Sequence, residues 1–86
     1  MAEAEKKRVE VRAKMSGVFY RRPSPEEPAY VEVGSTVKKK QVLALLETMK
    51  VFQKVKSPAS GQIVEIAAED EAAVKDEDLL FVIEAG

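Results

Sequence analysis

The sequence predicts an all-β fold, a sandwich or flattened barrel built from two similar halves. Many short β-rich segments, little helical periodicity and an internal repeat support this fold class. The chain has 86 residues, which leave room for one small hydrophobic core and not for two. We therefore expect one domain whose two halves share its core.

The first predicted strand shows the alternation expected when one face of a strand is buried. Val9, Val11 and Ala13 alternate with charged residues. The charged residues before Val9 show no apolar periodicity, which predicts a flexible tail at residues 1–8 and a domain at 9–86. Five further β-rich runs are bounded by turn-forming residues: Gly17–Tyr20, Val42–Leu46, Val51–Val55, Gln62–Ile66 and Leu79–Ile83.

The second half of the sequence repeats the first. Residues 37–47 align with residues 74–84 at an offset of 37, and their apolar positions coincide. Upstream, Ser16-Gly17 aligns with Ser60-Gly61 at an offset of 44. The difference of seven residues predicts an insertion in the first half, at the proline-rich residues 23–28. Two such halves are expected to be related by a pseudo-twofold axis and to bury each other's apolar faces.

Composition limits the chemistry that this chain can perform alone. It has no histidine and no cysteine, so it lacks the commonest general base, the strongest nucleophile and the usual zinc ligands. A net charge of -1 predicts no nucleic-acid partner, and the apolar runs are far shorter than the roughly 18 residues of a membrane span. The polar N-terminus does not resemble a secretory signal. A binding, carrier or structural module in the cytoplasm or an organelle is expected.

The charges are distributed unevenly along the chain. Residues 1–43 carry ten Lys/Arg and six Asp/Glu, whereas residues 44–86 carry four and nine. A solvated turn is the ordinary interpretation of Lys38-Lys39-Lys40, and a docking patch is the alternative.

The segment between the two halves reads Glu47-Thr48-Met49-Lys50-Val51. Strand-like segments on both sides predict a hairpin turn here, with Lys50 at an exposed tip in the middle of the domain. A surface lysine alone carries no functional information, because most lysines are exposed. Its position makes Lys50 the candidate functional residue.

Together these features resemble the biotin carboxyl carrier proteins of multisubunit acetyl-CoA carboxylases. The resemblance covers about residues 9–85. Its sharpest element is Met49-Lys50, because biotin acceptors have this pair where the related lipoyl domains usually have Asp-Lys-Ala. The other matching segments are residues 17–25, Val33-Gly34, Val42-Leu43, Ser60-Gly61 and Leu79-Leu80.

The resemblance implies a barrel of two four-stranded antiparallel sheets, with biotin joined to the Lys50 amine by an amide bond. Glu47, Thr48, Met49 and Val51 would form the motif around the attachment point. It also implies that the insertion, at about residues 22–30, is a protruding thumb. Ser24 and Pro25 in the thumb are candidates for contact with the biotin ring, and a merely rigid surface turn is the alternative.

The function implied by the resemblance is transport of a carboxyl group. Biotin would carry it from a biotin carboxylase to a carboxyltransferase, giving malonyl-CoA from acetyl-CoA for fatty acid synthesis, and a biotin protein ligase would attach the biotin. This chain would catalyse neither step, and it would lie in the cytoplasm, or in a plastid if it comes from a plant. The alternatives are a carrier domain of another biotin-dependent carboxylase, decarboxylase or transcarboxylase, and an unmodified lipoyl-like assembly domain.

Four positions depart from the common pattern of this family. Thr48 and Val51 stand where many relatives have Ala and Met, and Arg22 stands where a small hydroxyl residue is expected at the base of the thumb. Lys40 occupies a turn position that is often Gly, so we expect an uncommon backbone conformation there.

Overall fold

Short antiparallel strands account for the regular structure in the computed structural model of this protein, which describes residues 7–49 and 51–85. The first half contains β1 (Lys7–Arg12), β2 (Gly17–Tyr20), β3 (Thr36–Val37) and β4 (Val42–Thr48). The second half contains β5 (Val51–Lys56), β6 (Gly61–Ile66), β7 (Ala72–Val74) and β8 (Leu79–Ala85). Within the ranges described, no helix is long and apolar enough to cross a membrane.

The strands form two four-stranded sheets in which every pair is antiparallel. One sheet has the order β1-β8-β6-β3, and the other has the order β5-β4-β2-β7. Exchanging each strand for its counterpart in the other half, β1 for β5 and so on, converts the first order into the second. The predicted fold class, two four-stranded antiparallel sheets with pseudo-twofold symmetry, is confirmed.

The repeat offsets also agree with the strand bounds. β1 and β2 start 44 residues before β5 and β6, and β4 starts 37 residues before β8. The extra seven residues therefore lie between β2 and β3, where residues 21–35 make a long connection.

Two strands and one boundary differ from the sequence-based expectation. β3 and β7 have two and three residues, which are too few to show an alternating pattern, so no run was predicted at either place. β1 begins at Lys7, where Val9 was expected, because Lys7 pairs with Ala85 and Arg8 with Glu84. Residues 1–6 of the predicted tail lie outside the described residues.

Equivalent turns of the two halves have similar backbone angles and hydrogen bonds. Lys40 and Glu77, which are equivalent at the offset of 37, both have φ of 74°. The Lys40 N–H donates to the Ser57 carbonyl at 2.7 Å, and the Glu77 N–H donates to the Ala13 carbonyl at 2.8 Å. Gly34 and Glu71 are a second equivalent pair with positive φ, at 98° and 68°. The uncommon backbone expected at Lys40 is present, and the same hydrogen bonding holds it in both halves.

The core lies between the two sheets and draws on equivalent positions of both halves. The Phe19 and Phe81 rings meet there with centroids 5.7 Å apart and an interplanar angle of 59°, a tilted arrangement that is favourable for aromatic pairs. The buried apolar residues of this cluster are Val11, Ala13, Phe19, Val31, Val37, Leu43, Ala44, Leu46, Ile63, Val74, Leu80, Phe81 and Ile83.

Two equivalent glycines allow neighbouring strands to approach closely. A Cβ atom at Gly17 would overlap the carbonyl oxygen of Glu47 and lie 2.8 Å from Cγ2 of Thr48. A Cβ atom at Gly61 would overlap the carbonyl oxygen of Glu84. Gly17 therefore sets the distance between β2 and the end of β4.

We expect Gly17→Ala to lower the free energy of unfolding by about 2 kcal/mol, because the obstructing carbonyl group of Glu47 belongs to the backbone and cannot rotate away. Urea denaturation measures the change. Gly34→Ala is the matched control: no atom lies within 4 Å of a Cβ there, so only its φ of 98° opposes alanine, and the expected loss is about 1 kcal/mol. Equal stability of Gly17→Ala and the unaltered protein would contradict this account.

We expect glycine at position 40 to stabilise the protein. Lys40→Gly should raise the free energy of unfolding by about 0.5 kcal/mol, because relief of the left-handed conformation exceeds the greater flexibility of the unfolded chain. Lys39→Gly, one residue earlier and outside the positive-φ set, should lower it by about 0.5 kcal/mol. Thermal unfolding of both variants checks the sign of each change.

Candidate functional site

The connection between β4 and β5 carries the predicted attachment motif. Thr48 is paired with Val51, so residues 49 and 50 join the two strands. Met49 has φ of 47°, and the residue is 94% exposed. Val51 is more than half exposed, whereas Thr48 is half-buried. Lys50 itself lies outside the described residues.

β-branched and aromatic residues favour strands on both sides of this connection. Thr48 and Val51 face each other as the last pair of the ladder, and Glu47 faces Phe52 in the pair before it. The two departures from the common motif, Thr48 and Val51, thus lie in a strand pairing that suits β-branched residues.

Glu47 is connected to the neighbouring strand through Tyr20. The Tyr20 hydroxyl donates a hydrogen bond to Oε1 of Glu47 at 3.1 Å, and the Tyr20 ring lies 5.9 Å from the Phe52 ring. This hydrogen bond raises the pKa of Tyr20, and partial burial and the negative charges of Glu47, Glu71 and Asp70 raise it further. The Tyr20 hydroxyl is therefore held protonated as a hydrogen-bond donor.

The base of the thumb, residues 22–30, is fixed by backbone and carboxylate contacts. The Tyr30 N–H donates to the Arg21 carbonyl at 2.8 Å and closes the loop. The Arg21 N–H donates to Oδ1 of Asp70 at 2.8 Å, and Nε of Arg22 lies 3.5 Å from Oδ2 of the same carboxylate. Asp70, in the loop between β6 and β7, thus anchors the thumb from the other half of the chain.

Arg21 adds a second attachment at the far side of the thumb. Its Nη2 donates to the Val31 carbonyl at 3.0 Å and to Oε1 of Glu32 at 2.8 Å. Within the thumb, the Glu27 N–H donates to the Ser24 carbonyl at 3.1 Å, and three prolines restrict the backbone. Arg22, where a small hydroxyl residue was expected, directs its guanidinium toward Asp70.

A cavity of about 200 Å³ lies between the thumb and the outer face of the β5-β4-β2-β7 sheet. Thumb residues form one wall, sheet residues form the floor, and the β6–β7 loop forms the remaining side. The lining residues are Tyr20, Arg22, Pro23, Ser24, Pro25, Leu45, Phe52, Asp70 and Glu71.

The cavity brings some of the predicted site residues together and leaves others apart. Ser24 and Pro25 face the sheet that carries the β4–β5 connection, and Glu47 reaches the cavity through Tyr20. Met49, Thr48 and Val51 do not line it.

Four residues of the cavity were not predicted as site residues from the sequence: Tyr20, Phe52, Asp70 and Glu71. Strand alternation could have placed Tyr20 on the outer face, since it follows the buried Phe19. Phe52 lies among exposed residues of β5, where burial does not alternate in this way. No sequence signal connects Asp70 to the thumb, because 49 residues separate it from Arg21.

Several proteins that are similar in sequence to this chain are named biotin carboxyl carrier proteins. The biotin carboxyl carrier protein of acetyl-CoA carboxylase from soybean chloroplasts (Glycine max) is 46% identical over 74 residues, which cover 86% of this chain and 28% of the relative. The corresponding protein of Haemophilus influenzae is 42% identical over 74 residues, covering 86% of this chain and 48% of the relative. The resemblance predicted from the motifs is confirmed, and the chain spans less than half the length of either relative.

Solved structures show the same fold. A single-chain, multi-domain long-chain acyl-CoA carboxylase matches with a TM-score of 0.79 at 19% identity, covering 100% of this chain and 8% of that one. The urea carboxylase of Kluyveromyces lactis matches with a TM-score of 0.74 at 22% identity, covering 95% and 7%. The sequence profile of the family described as "biotin-requiring enzyme" matches residues 3–83, and the chain therefore belongs to this biotin-requiring family.

Proposed function

We propose that this chain is the biotin-bearing carrier domain of an acetyl-CoA carboxylase and that Lys50 is its attachment residue. The observation that carries the proposal is the Met49-Lys50 pair at the β4–β5 connection, in a chain up to 46% identical to carrier proteins of that enzyme. The two carboxylase structures described above are less than 25% identical to this chain, so they support the fold and do not favour a different biotin enzyme.

Attachment needs an accessible primary amine and an activated biotinyl group. The Lys50 nitrogen attacks the acyl carbon, the C–N bond of an amide forms, the bond to the leaving group breaks and the amine releases a proton. Exposure of Met49 and Val51 on either side supports access by a biotin protein ligase. Acylation removes one positive charge, which changes the formal net charge from -1 to -2.

Biotin supplies a ureido ring that can carry a carboxyl group between two separate active sites. The residues of the thumb cavity fit such a ring. Leu45, Phe52 and Pro25 offer apolar contact, while Asp70 and Glu71 offer acceptors for ureido N–H groups. The Arg22 guanidinium is a donor suited to a ureido carbonyl. The Tyr20 hydroxyl donates its proton to Glu47, so its oxygen offers a further acceptor for a ureido N–H group.

The contribution of the domain is tethering and not catalysis. A group held on a lysine side chain replaces free diffusion by an effective concentration on the order of millimolar near its partners. The partners in this proposal are a biotin carboxylase, a carboxyltransferase and the ligase, and the product is malonyl-CoA. We place the domain in a plastid or in a bacterial cytoplasm, because one relative is named chloroplastic and the other comes from a bacterium.

Co-expression with a biotin protein ligase should increase the intact mass by about 226 Da, one biotinyl group in place of one amine proton. Lys50→Arg should abolish the increase, because the delocalised guanidinium is a poor nucleophile. Lys54→Arg, an exposed lysine on β5, is the matched control and should keep it. An unmodified wild-type chain, or an increase that persists in Lys50→Arg, would refute Lys50 as the acceptor.

Biotinylation should also shift the NMR signals of the Tyr20 and Phe52 rings, because the biotin ring would contact the cavity that they line. Deleting residues 24–28 should remove these shifts and alter the rate of carboxyl transfer while the chain remains folded and biotinylated. Lys50→Arg treated with ligase is the control and should show no shifts. Unchanged Tyr20 and Phe52 signals after complete biotinylation would indicate that the thumb is only a rigid surface turn and does not contact biotin.

A further inference from the structure

The turn between β3 and β4 presents consecutive lysines on a fixed backbone. The Lys40 N–H donates to the Ser57 carbonyl at 2.7 Å, and the Lys39 N–H donates to Oγ of Ser60 at 3.0 Å. The Lys38 N–H donates to Oε1 of Gln41 at 3.0 Å. All three lysine side chains are exposed.

Lys54 and Lys56, exposed on the adjoining strand β5, extend the cationic surface. We call these five residues the basic turn.

The lysines of the basic turn form no ion pair with any residue that the structure describes. In the described part of the chain, the ion pairs join Arg8 to Glu84, Arg12 to Glu10, Arg21 to Glu32 and Arg22 to Asp70, and none includes a lysine of the basic turn. Folding does not account for the lysines either, because Lys40 has a φ of 74° that favours glycine.

The equivalent turn of the second half, residues 75–78, has a matching backbone and a net negative charge, although Lys75 has the same charge as its counterpart Lys38. We call residues 75–78 the acidic turn. The Asp76 N–H donates to Oγ of Ser16 at 3.2 Å, as Lys39 does to Ser60, and the Lys75 N–H donates to Oδ2 of Asp78 at 2.8 Å. Lys39 and Lys40 correspond at the offset of 37 to Asp76 and Glu77, which are acidic.

A second charge reversal lies on the equivalent edge strands. Lys56 corresponds at the offset of 44 to Arg12, which is paired with Glu10 at 2.7 Å. The counterpart of Glu10 is Lys54. On β1 the cation Arg12 is therefore paired with a carboxylate, whereas at the equivalent positions of β5 both Lys54 and Lys56 are cations.

The two turns lie at opposite ends of the barrel. Ser16 precedes Gly17, which packs against Glu47 and Thr48, so the acidic turn lies near the β4–β5 connection. Ser60 precedes Gly61, which packs against Glu84 near the other end of β8, so the basic turn lies there. β8 has seven residues, which span roughly 20 Å.

We propose that the basic turn is a docking surface for an acidic segment of a partner protein. Such a segment is attracted by four cations at one end of the barrel and by Lys54 midway along β5, and it is repelled by the acidic turn at the other end. A docked domain would therefore point its β4–β5 connection away from the partner. The significance of this orientation for a carrier rests on the proposed function. Binding of an acidic segment to the basic turn does not rest on it.

The observations favour a protein segment over other polyanions. The basic turn contains no aromatic or arginine side chain to stack on nucleic-acid bases. It also contains no large apolar side chain to enter a membrane surface: among the residues described, those exposed are Met15, Val33, Met49, Val51 and Phe52.

The test uses the full 86-residue chain without biotin and a short synthetic peptide of alternating Glu and Ser as the probe. Amide NMR shifts on titration should concentrate at residues 38–41 and 56–60 and be absent at residues 75–78. A peptide of alternating Gln and Ser should produce no shifts. Raising the salt concentration to about 0.3 M should weaken binding strongly, because the charges are exposed to solvent.

A pair of charge-matched variants separates this surface from net charge. Lys39→Glu and Lys75→Glu each change the net charge from -1 to -3, by one reversal of two units. The first should weaken peptide binding about threefold and the second should change it little. Both lysines are exposed, so both variants should remain folded, which circular dichroism checks.

Equal loss in both variants, or shifts spread over the whole surface, would overturn the proposal. Tighter binding to a single-stranded oligonucleotide or to anionic phosphatidylserine vesicles than to the Glu/Ser peptide would overturn the choice of partner. Failure here leaves the Lys50 mass measurement unaffected, and an unmodified Lys50 leaves this titration unaffected, so the two proposals fail independently.

Discussion

The two half-domains depend on one shared core, and the contact between Phe19 and Phe81 lies inside it. Neither half can bury its own apolar face, because its four strands are divided between both sheets. The close approach at Gly17 and Gly61 is part of the same constraint, since it brings β2 and β6 against the ends of β4 and β8. The positions of the β4–β5 connection, the thumb and both charged turns follow from this closure.

Much of this arrangement could be predicted from local pattern. The alternation at Val9 to Ala13 predicts a strand, and the two repeat offsets locate the insertion between β2 and β3. β3 and β7 could not be located, because two or three residues carry no periodicity and their pairing comes from β6 and β2. Local pattern thus predicts strands that are long enough to have two distinguishable faces.

The candidate site was predictable in part for a related reason. Met49-Lys50 is a contiguous signal, so it could be read directly. The cavity beside it is assembled by contacts between residues distant in sequence, such as Tyr20 with Glu47 and Arg21 with Asp70. Such pairs depend on the register between strands and on how the thumb folds back, neither of which a single sequence reveals. Arg22 illustrates the limit: its departure from the family pattern was visible, but its proximity to Asp70 was not.

The near equivalence of the halves has a consequence for how the domain acquired its features. Two similar units around one core have the geometry of a twofold homodimer joined into a single polypeptide. In a homodimer every substitution appears twice, so an insertion or a reversed charge would be imposed on both ends. Joining the copies removes that coupling. The thumb has no counterpart after β6. Lys39 and Lys40 of the first half correspond to Asp76 and Glu77 of the second half, in turns with matching backbones. A single chain with two similar halves can therefore have different features at its two ends.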